Sequence, residues 1–349
     1  METNRLRAAL PSPLLQVQYD WLAERLPGLL VCLTIGLATT FLSDHYGGPT
    51  ILYALLLGIA FHFLSQDRRC MAGIEFAART ILRLGVALLG VRITASQVFE
   101  LGLGPVLTVV AGVASTILVG RLLAKLLGLD RELGLLTGGA VAICGASAAL
   151  ALSAVMPRDQ HSERNLILTV VTVTALSTIA MVTYPLLVKS LGMDFTTAGV
   201  FLGGTIHDVA QVVGAGYIIS PETGNVSTVV KLMRVAMLVP AVLSFSLLFR
   251  RVPSAGVRSG AAPLLPSFLI AFVVFVLLNS AGLIPPVLAE TANGVSRWCL
   301  VTAIAGLGIK TSLEQLAKVG WRPVALMVGE TVFLAILVLV AVLGFGVGH

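Results

Sequence analysis

Apolar runs separated by short polar gaps fill the chain from residue 27 to residue 347. A helix needs about 20 predominantly apolar residues to cross a bilayer, and the runs cluster near that length. The pattern predicts about eleven spans, at 27–43, 49–65, 76–91, 101–122, 133–156, 166–188, 196–219, 226–249, 261–283, 295–309 and 319–347. No gap is long enough to hold a separate soluble domain. The expected fold is an all-α polytopic membrane protein.

Composition sharpens this. The chain is 57% hydrophobic and 11% charged, with mean hydropathy +0.97. An ordinary soluble domain is about 25% charged, so a soluble fold is excluded. Disordered chains are polar, so disorder is excluded as well. The net charge of +6 does not point to nucleic acid, because the basic residues lie scattered among the gaps without interleaved aromatics. Cys32, Cys70, Cys144 and Cys299 lack metal-ligand spacing and read as small apolar packing residues. No metal and no cofactor is expected. Arg5, Arg7 and Arg25 precede the first run, and no small-residue cleavage site follows it, so it reads as an uncleaved span. With the N-terminus in the cytoplasm, the inner gaps hold about 15 Lys and Arg residues and the outer gaps about 5. That bias places the N-terminus inside and, for an odd number of spans, the C-terminus outside.

Internal similarity suggests two inverted halves. Gly58 and His62 match Gly203 and His207, Arg83 matches Arg234, and Ala142–Gly145 matches Ala303–Gly306, each pair five spans apart. An odd separation inverts the second copy, as in many transporters. The expected organisation is an N-terminal tail and helix (1–45), one five-helix repeat (46–192) and a second, inverted one (193–349). Two other similarities do not fit this scheme. Gly90, Arg92, Gln97, Gly102 and Pro105 resemble Gly308, Lys310, Gln315, Gly320 and Pro323, and Gly138-Gly139 resembles Gly203-Gly204. They read as recurring glycine-rich helix ends.

Candidate chemistry collects where spans carry glycine or charge. Span five reads Gly138-Gly139-Ala140-Val141-Ala142-Ile143-Cys144-Gly145-Ala146-Ser147, and span ten carries Gly306 and Gly308. Glycine weakens a helix, and a broken span exposes N–H groups and a positive helix end at membrane depth, which suits an anion. Spans five and ten are therefore expected to be broken. The competing reading is small-residue helix packing. Span seven carries His207, Asp208 and Gln211, a costly polar group inside a membrane and a candidate for proton coupling. Arg83 and Arg234 lie within spans and are candidates for anion contact, while Arg79 and Lys231 near span ends read as snorkelling. Glu75 and Glu330 read as structural partners for a buried arginine, and His62 as structural. No metalloprotease, nucleophile-elbow, P-loop or dinucleotide motif is present.

Ile81-Leu82-Arg83-Leu84-Gly85, Ile143-Cys144-Gly145-Ala146, His207-Asp208-Val209-Ala210-Gln211-Val212-Val213 and Leu232-Met233-Arg234 occur in this order. The chain thereby resembles the YeiH family of bacterial inner-membrane proteins, described as sulfate exporters, from span two to span eleven. The resemblance implies Glu in some relatives at the position of Asp208. The resemblance implies membrane transport and an anionic substrate in the bacterial inner membrane.

The combined expectation is a secondary transporter, not an enzyme, exporting a small anion such as sulfate or a sulfonate by alternating access. Spans five and ten would cross near the midplane, as in sodium/proton and bile-acid transporters. Cys144, Gly145, Ser147, Gly306, Gly308, Arg83, Arg234 and Gln211 are the expected substrate site, and His207 and Asp208 the proton site. Expected partners are the anion, a coupling proton or sodium ion, the lipid bilayer and further copies of the chain, with no nucleic acid. Two alternatives remain: a cation/proton exchanger with Asp208 as ligand, and an intramembrane enzyme using Cys144 or Ser147.

Overall fold

The computed structural model describes residues 13–47, 49–157, 160–249, 266–311 and 320–347. Of the residues weighed for orientation, Arg5, Arg7, Arg158, Arg250, Arg251, Arg258 and Lys318 lie outside them, as do the first residues of spans nine and eleven. The described residues form helices and no strand. In chain order these are α1 (Pro13–Tyr46), α2 (Thr50–Ala60), α3 (Arg68–Phe76), α4 (Leu82–Leu89), α5 (Ala95–Glu100) and α6 (Leu103–Leu126). Next come α7 (Arg131–Ala142), α8 (Ala146–Ser153), α9 (Ser162–Ser190), α10 (Phe195–Thr205) and α11 (Val209–Ile219). The last are α12 (Pro221–Ala236), α13 (Leu238–Leu248), α14 (Ser267–Ser280), α15 (Pro286–Lys310) and α16 (Trp321–Phe345). Five stretches are long and apolar enough to cross a bilayer: Tyr19–Tyr46, Leu103–Leu126, Ser162–Ser190, Pro221–Leu248 and Trp321–Phe345.

The chain divides into two compact units. One comprises the residues up to Val86 together with Gly294–Thr311. Within it α1 and α3 touch backbone to backbone, since a Cβ on Gly73 would lie 2.5 Å from the Leu29 nitrogen. Likewise α2 and α15 meet at Gly58 and Gly308, where a Cβ on Gly58 would lie 2.9 Å from the Gly308 Cα. Here the expectation for span ten is corrected. α15 runs through Gly306 and Gly308 without interruption, and both glycines serve close helix packing of the small-residue kind. His62 donates from Nδ1 to the Ile309 carbonyl (2.7 Å), closing the end of α15. Glu75 pairs with Arg79 (2.5 Å) and with Lys310, but Arg79 is exposed, so the buried arginine expected as its partner is not what it meets.

The second unit comprises Ala87–Asn293 and the residues from Ser312 onward. Span five is broken as expected: α7 stops at Ala142, α8 starts at Ala146, and Gly145 adopts φ 67°. That left-handed backbone suits glycine. The break is a reversal. A Cβ on Gly139 would strike the Leu152 side chain, although residues 139 and 152 would be about 20 Å apart along a straight helix. Span seven breaks in the same way between Thr205 and Val209. Cβ atoms on Gly203 and Gly216 would both strike Ser227 of α12, and the Thr223 hydroxyl donates to the Phe195 carbonyl (3.0 Å). Both ends of the α10–α11 pair therefore lie beside the start of α12. Spans five and seven are hairpins that return to the side they entered from.

These hairpins enter from opposite ends of α9. α9 begins shortly after α8 ends in the chain, at the base of the α7–α8 hairpin, and residues 191–194 tie the base of the α10–α11 hairpin to its end. Their tips meet at the middle of α9. A Cβ on Gly145 would lie 3.7 Å from Val173 and 3.8 Å from the His207 Cβ, while the Asp208 amide donates to the Ser177 hydroxyl (3.0 Å). Spans five and seven share this break, each preceded by a Gly-Gly pair, Gly138-Gly139 and Gly203-Gly204. The other similarity set aside in the sequence is structural too: Gly102 and Gly320 cap the starts of α6 and α16 with φ 70° and 94°.

In a background with the native cysteines replaced, Phe195→Cys and Glu222→Cys should react with an impermeant thiol reagent from one side of the membrane. Glu132→Cys and Ala154→Cys should react from the other side. Labelling of Phe195→Cys and Glu222→Cys from opposite faces would show that α10–α11 crosses.

Candidate functional site

A helix that stops leaves its last carbonyls without partners, and at membrane depth water is not there to take them. Two such ends, those of α7 and α10, meet at the hairpin tips. The second unit satisfies them with two cations from α12. Arg234 donates from Nε to Ala142 (2.9 Å), from Nη2 to Val141 (2.8 Å), and from Nη1 to Gly203 (3.2 Å) and Ile206 (3.0 Å). Lys231 donates from Nζ to Ile143 (2.7 Å) and Ile206 (3.0 Å). Both are buried, Lys231 at 0% and Arg234 at 1% exposure. Their charges also meet the negative ends of two helix dipoles. Lys231 is thus no snorkelling residue. It lies about 16 Å along α12 from Ser220, because the hairpin ends where α12 begins.

The tips carry the remaining polar groups. His207 lies in the break rather than on a helix, so it does not share a helical face with Gln211. Its Nδ1 faces the Val141 carbonyl (3.1 Å) and its Nε2 the Thr331 hydroxyl of α16 (3.0 Å). A carbonyl only accepts, so Nδ1 carries a hydrogen. Thr331 Oγ1 also lies 2.7 Å from the Met327 carbonyl. Its single hydrogen serves either Met327 or Nε2. A neutral imidazole takes the hydroxyl hydrogen, and an imidazolium releases it to Met327. Asp208 caps α11 by accepting from the Ala210 amide (2.8 Å). Gln211 is buried and shares weak bonds of 3.4 Å with Ser177 and Thr178 of α9.

Of the expected site residues, Cys144, Gly145, Ser147, His207, Asp208, Gln211 and Arg234 belong to the second unit, at or beside the two tips. Cys144 is buried, and Ser147 is exposed in the first turn of α8. Gly145 gives that turn no side-chain cap. Arg83, Gly306 and Gly308 belong to the first unit; Arg83 is exposed, and the glycines lie within α15. Sequence reasoning missed Ser177, Thr331 and the depth of Lys231. The available signal was the Glu330-Thr331 polar pair inside a long apolar run. Glu330 is buried and bonded to the Thr137 hydroxyl (2.7 Å). The expected arginine partner is not what it meets, because Arg234 is engaged by the four carbonyls.

Apolar helices of spanning length, together with two broken hairpins that bury cations, define a polytopic helical membrane protein. The chain belongs to the UPF0324 family of membrane proteins, and the family model described as Conserved hypothetical protein 698 matches residues 27–327. It is 56% identical over 317 residues to a UPF0324 membrane protein of Chlorobaculum tepidum, covering 90% of this chain and 88% of that one. It is 53% identical over 324 residues to a UPF0324 membrane protein of Rhizobium meliloti, covering 93% of each. A third relative, UPF0324 membrane protein TauZ of Paracoccus denitrificans, is 54% identical over 314 residues, covering 89% of this chain and 93% of that one. The family agrees with the resemblance read from the sequence.

Removing the shared cap should unfold the tips. Arg234→Leu is expected to cost roughly 3–5 kcal/mol, as for other broken buried charge networks, and Arg234→Lys less, since lysine keeps charge without the fork. Thermal unfolding in detergent reads this directly. An unchanged midpoint for Arg234→Leu would show that the carbonyls are satisfied in another way.

Proposed function

We propose that this protein is a secondary transporter of a small anion, with sulfate or a sulfonate as the leading substrate, working by alternating access in the bacterial inner membrane. The observation that carries the reading is the meeting of two fold-back hairpins around two fully buried cations. Helices broken at depth are the usual means by which transporters build a site inside a bilayer. The starts of α8 and α11 open at the same place as the capped ends of α7 and α10, and helix starts attract negative charge. Lys231 and Arg234 supply about two positive charges, which the two carbonyl ends offset by about one. Each cation also keeps an N–H beyond those given to carbonyls. Ser147 and the first-turn amides of α8 bind oxygens of the anion, with Gln211 orienting the second tip. His207 and Asp208 handle a coupling proton, and the hydroxyl of Thr331 follows the state of His207.

Orientation with the N-terminus in the cytoplasm fits the hairpin topology. Turning spans five and seven back leaves an odd number of crossings, so the C-terminus stays outside. Arg164 joins the inner set, Lys189 leaves it, and Lys231 no longer counts as an outer residue, which preserves the basic bias. A non-enzymatic role is supported by His207, whose ring nitrogens face Val141 and Thr331 rather than Cys144 or Ser147.

Radiolabelled sulfate or sulfonate flux into proteoliposomes tests the reading. Uptake driven by a pH gradient is expected, with Ser147→Ala and Gln211→Ala reducing it and His207→Ala abolishing its pH dependence. Sodium-dependent proton movement without anion flux would establish the exchanger instead.

A further inference from the structure

Glu330 is the buried acid that the tips do not use. Its side chain is fully enclosed, at 0% exposure, where α16 packs against the crossing of α6 and α7. Glycines make the room for it: a Cβ on Gly120 would lie 2.6 Å from Glu330 Oε1 and 2.5 Å from the Gly134 carbonyl. Oε1 meets the Thr137 hydroxyl at 2.7 Å, and Oε2 has no hydrogen-bond partner among the described residues. No described Lys, Arg or His lies within ion-pair distance. An ionised carboxylate left this way is among the costliest groups a protein can bury.

Thr137 is suited to both protonation states. Its Oγ1 also lies 3.0 Å from the Leu133 carbonyl, one turn back. When Glu330 is ionised, the hydroxyl donates to Oε1. When Glu330 carries a proton on Oε1, that O–H donates to Thr137, whose own hydrogen turns to Leu133. No heavy atom moves. The charged and titratable groups of the surrounding elements lie away from the carboxyl or are engaged. On α6 they are Arg121 and Lys125, and on α7 Arg131 and Glu132, all exposed. On α9 they are Glu163, Arg164, Tyr184 and Lys189, away from its middle; α10 has none, and Arg322 lies at the start of α16. His207, at the second tip, bonds Thr331, the residue after Glu330.

We infer that Glu330 is a proton-binding carboxyl of the transport cycle, separate from His207 and Asp208, protonated while α16 packs against α6 and α7 and passing its proton to water when that packing opens. This inference rests on the transporter reading. It adds a site for the coupling ion and ties it by adjacency to the hydroxyl that follows His207.

Two measurements on the purified full-length protein separate the inference from that reading. Infrared spectra at neutral pH should show a protonated-carboxyl C=O band that Glu330→Gln removes and Thr137→Val shifts. Thr137→Val keeps the carboxyl and supports the assignment if Glu330→Gln does not fold. In proteoliposomes, Glu330→Gln should keep sulfate exchange across a membrane at equal pH and lose uptake driven by a pH gradient. A band untouched by both variants overturns the inference, and so does full pH-driven uptake in Glu330→Gln. If the wild type moves no sulfate, the transport reading fails, while the infrared bands still decide whether Glu330 is protonated.

Discussion

Backbone carbonyls released at membrane depth must find donors, and in this protein one helix supplies them. Arg234 and Lys231, three residues apart on α12, serve the ends of both α7 and α10. Without them each hairpin tip would bury orphaned acceptors, each costing several kcal/mol in hydrocarbon. The Ile206 carbonyl takes a bond from each cation, and Val141 takes one from Arg234 and one from His207. The tips are therefore held to each other through shared partners. Cations placed at these carbonyls fix where both hairpins can stop.

Opposed entry of the hairpins follows from that requirement. α9 runs the length between their two bases, so each tip has to reach the same level from its own end. α12 then starts beside the second base and carries its cations to the tips. Gly203 and Gly216 let α10 and α11 both lie against Ser227, which brings α12 close enough for its side chains to reach. A leucine at either glycine would push α12 outward and take the donors from the carbonyls. Packing and polar satisfaction are one constraint here.

Much of this was legible in the sequence, and what was not has physical reasons. Apolar periodicity gives the helical membrane class, and Gly145 correctly marks a break. Gly306 and Gly308 give the same one-dimensional signal, yet they sit in a continuous helix because their missing side chains admit α2, α3 and the Cys32 side chain of α1. Glycine reports close approach or release of the backbone, and only the neighbour tells which. A hairpin and a crossing span of the same length also share one hydropathy profile. The repeated Gly-Gly pair in spans five and seven was the available clue that both break. Lys231 reads as lying near a span end for the same reason, since a crossing span seven would place it there.

The use of charge separates two populations inside the membrane. The buried cations are satisfied by neutral carbonyls whose helix ends offset only part of their positive charge, whereas a carboxylate partner for each would have cancelled it. Glu330 lies apart, against Thr137 and the α6–α7 glycines, so the acid that could have neutralised Arg234 does not. Asp208 caps α11 and brings one negative charge to the tips. The starts of α8 and α11 bring positive helix ends to the same place, and Glu330 lies on α16 next to the Thr331 hydroxyl that meets His207. The cations then hold the fold and set the field at once, and replacing either one changes both.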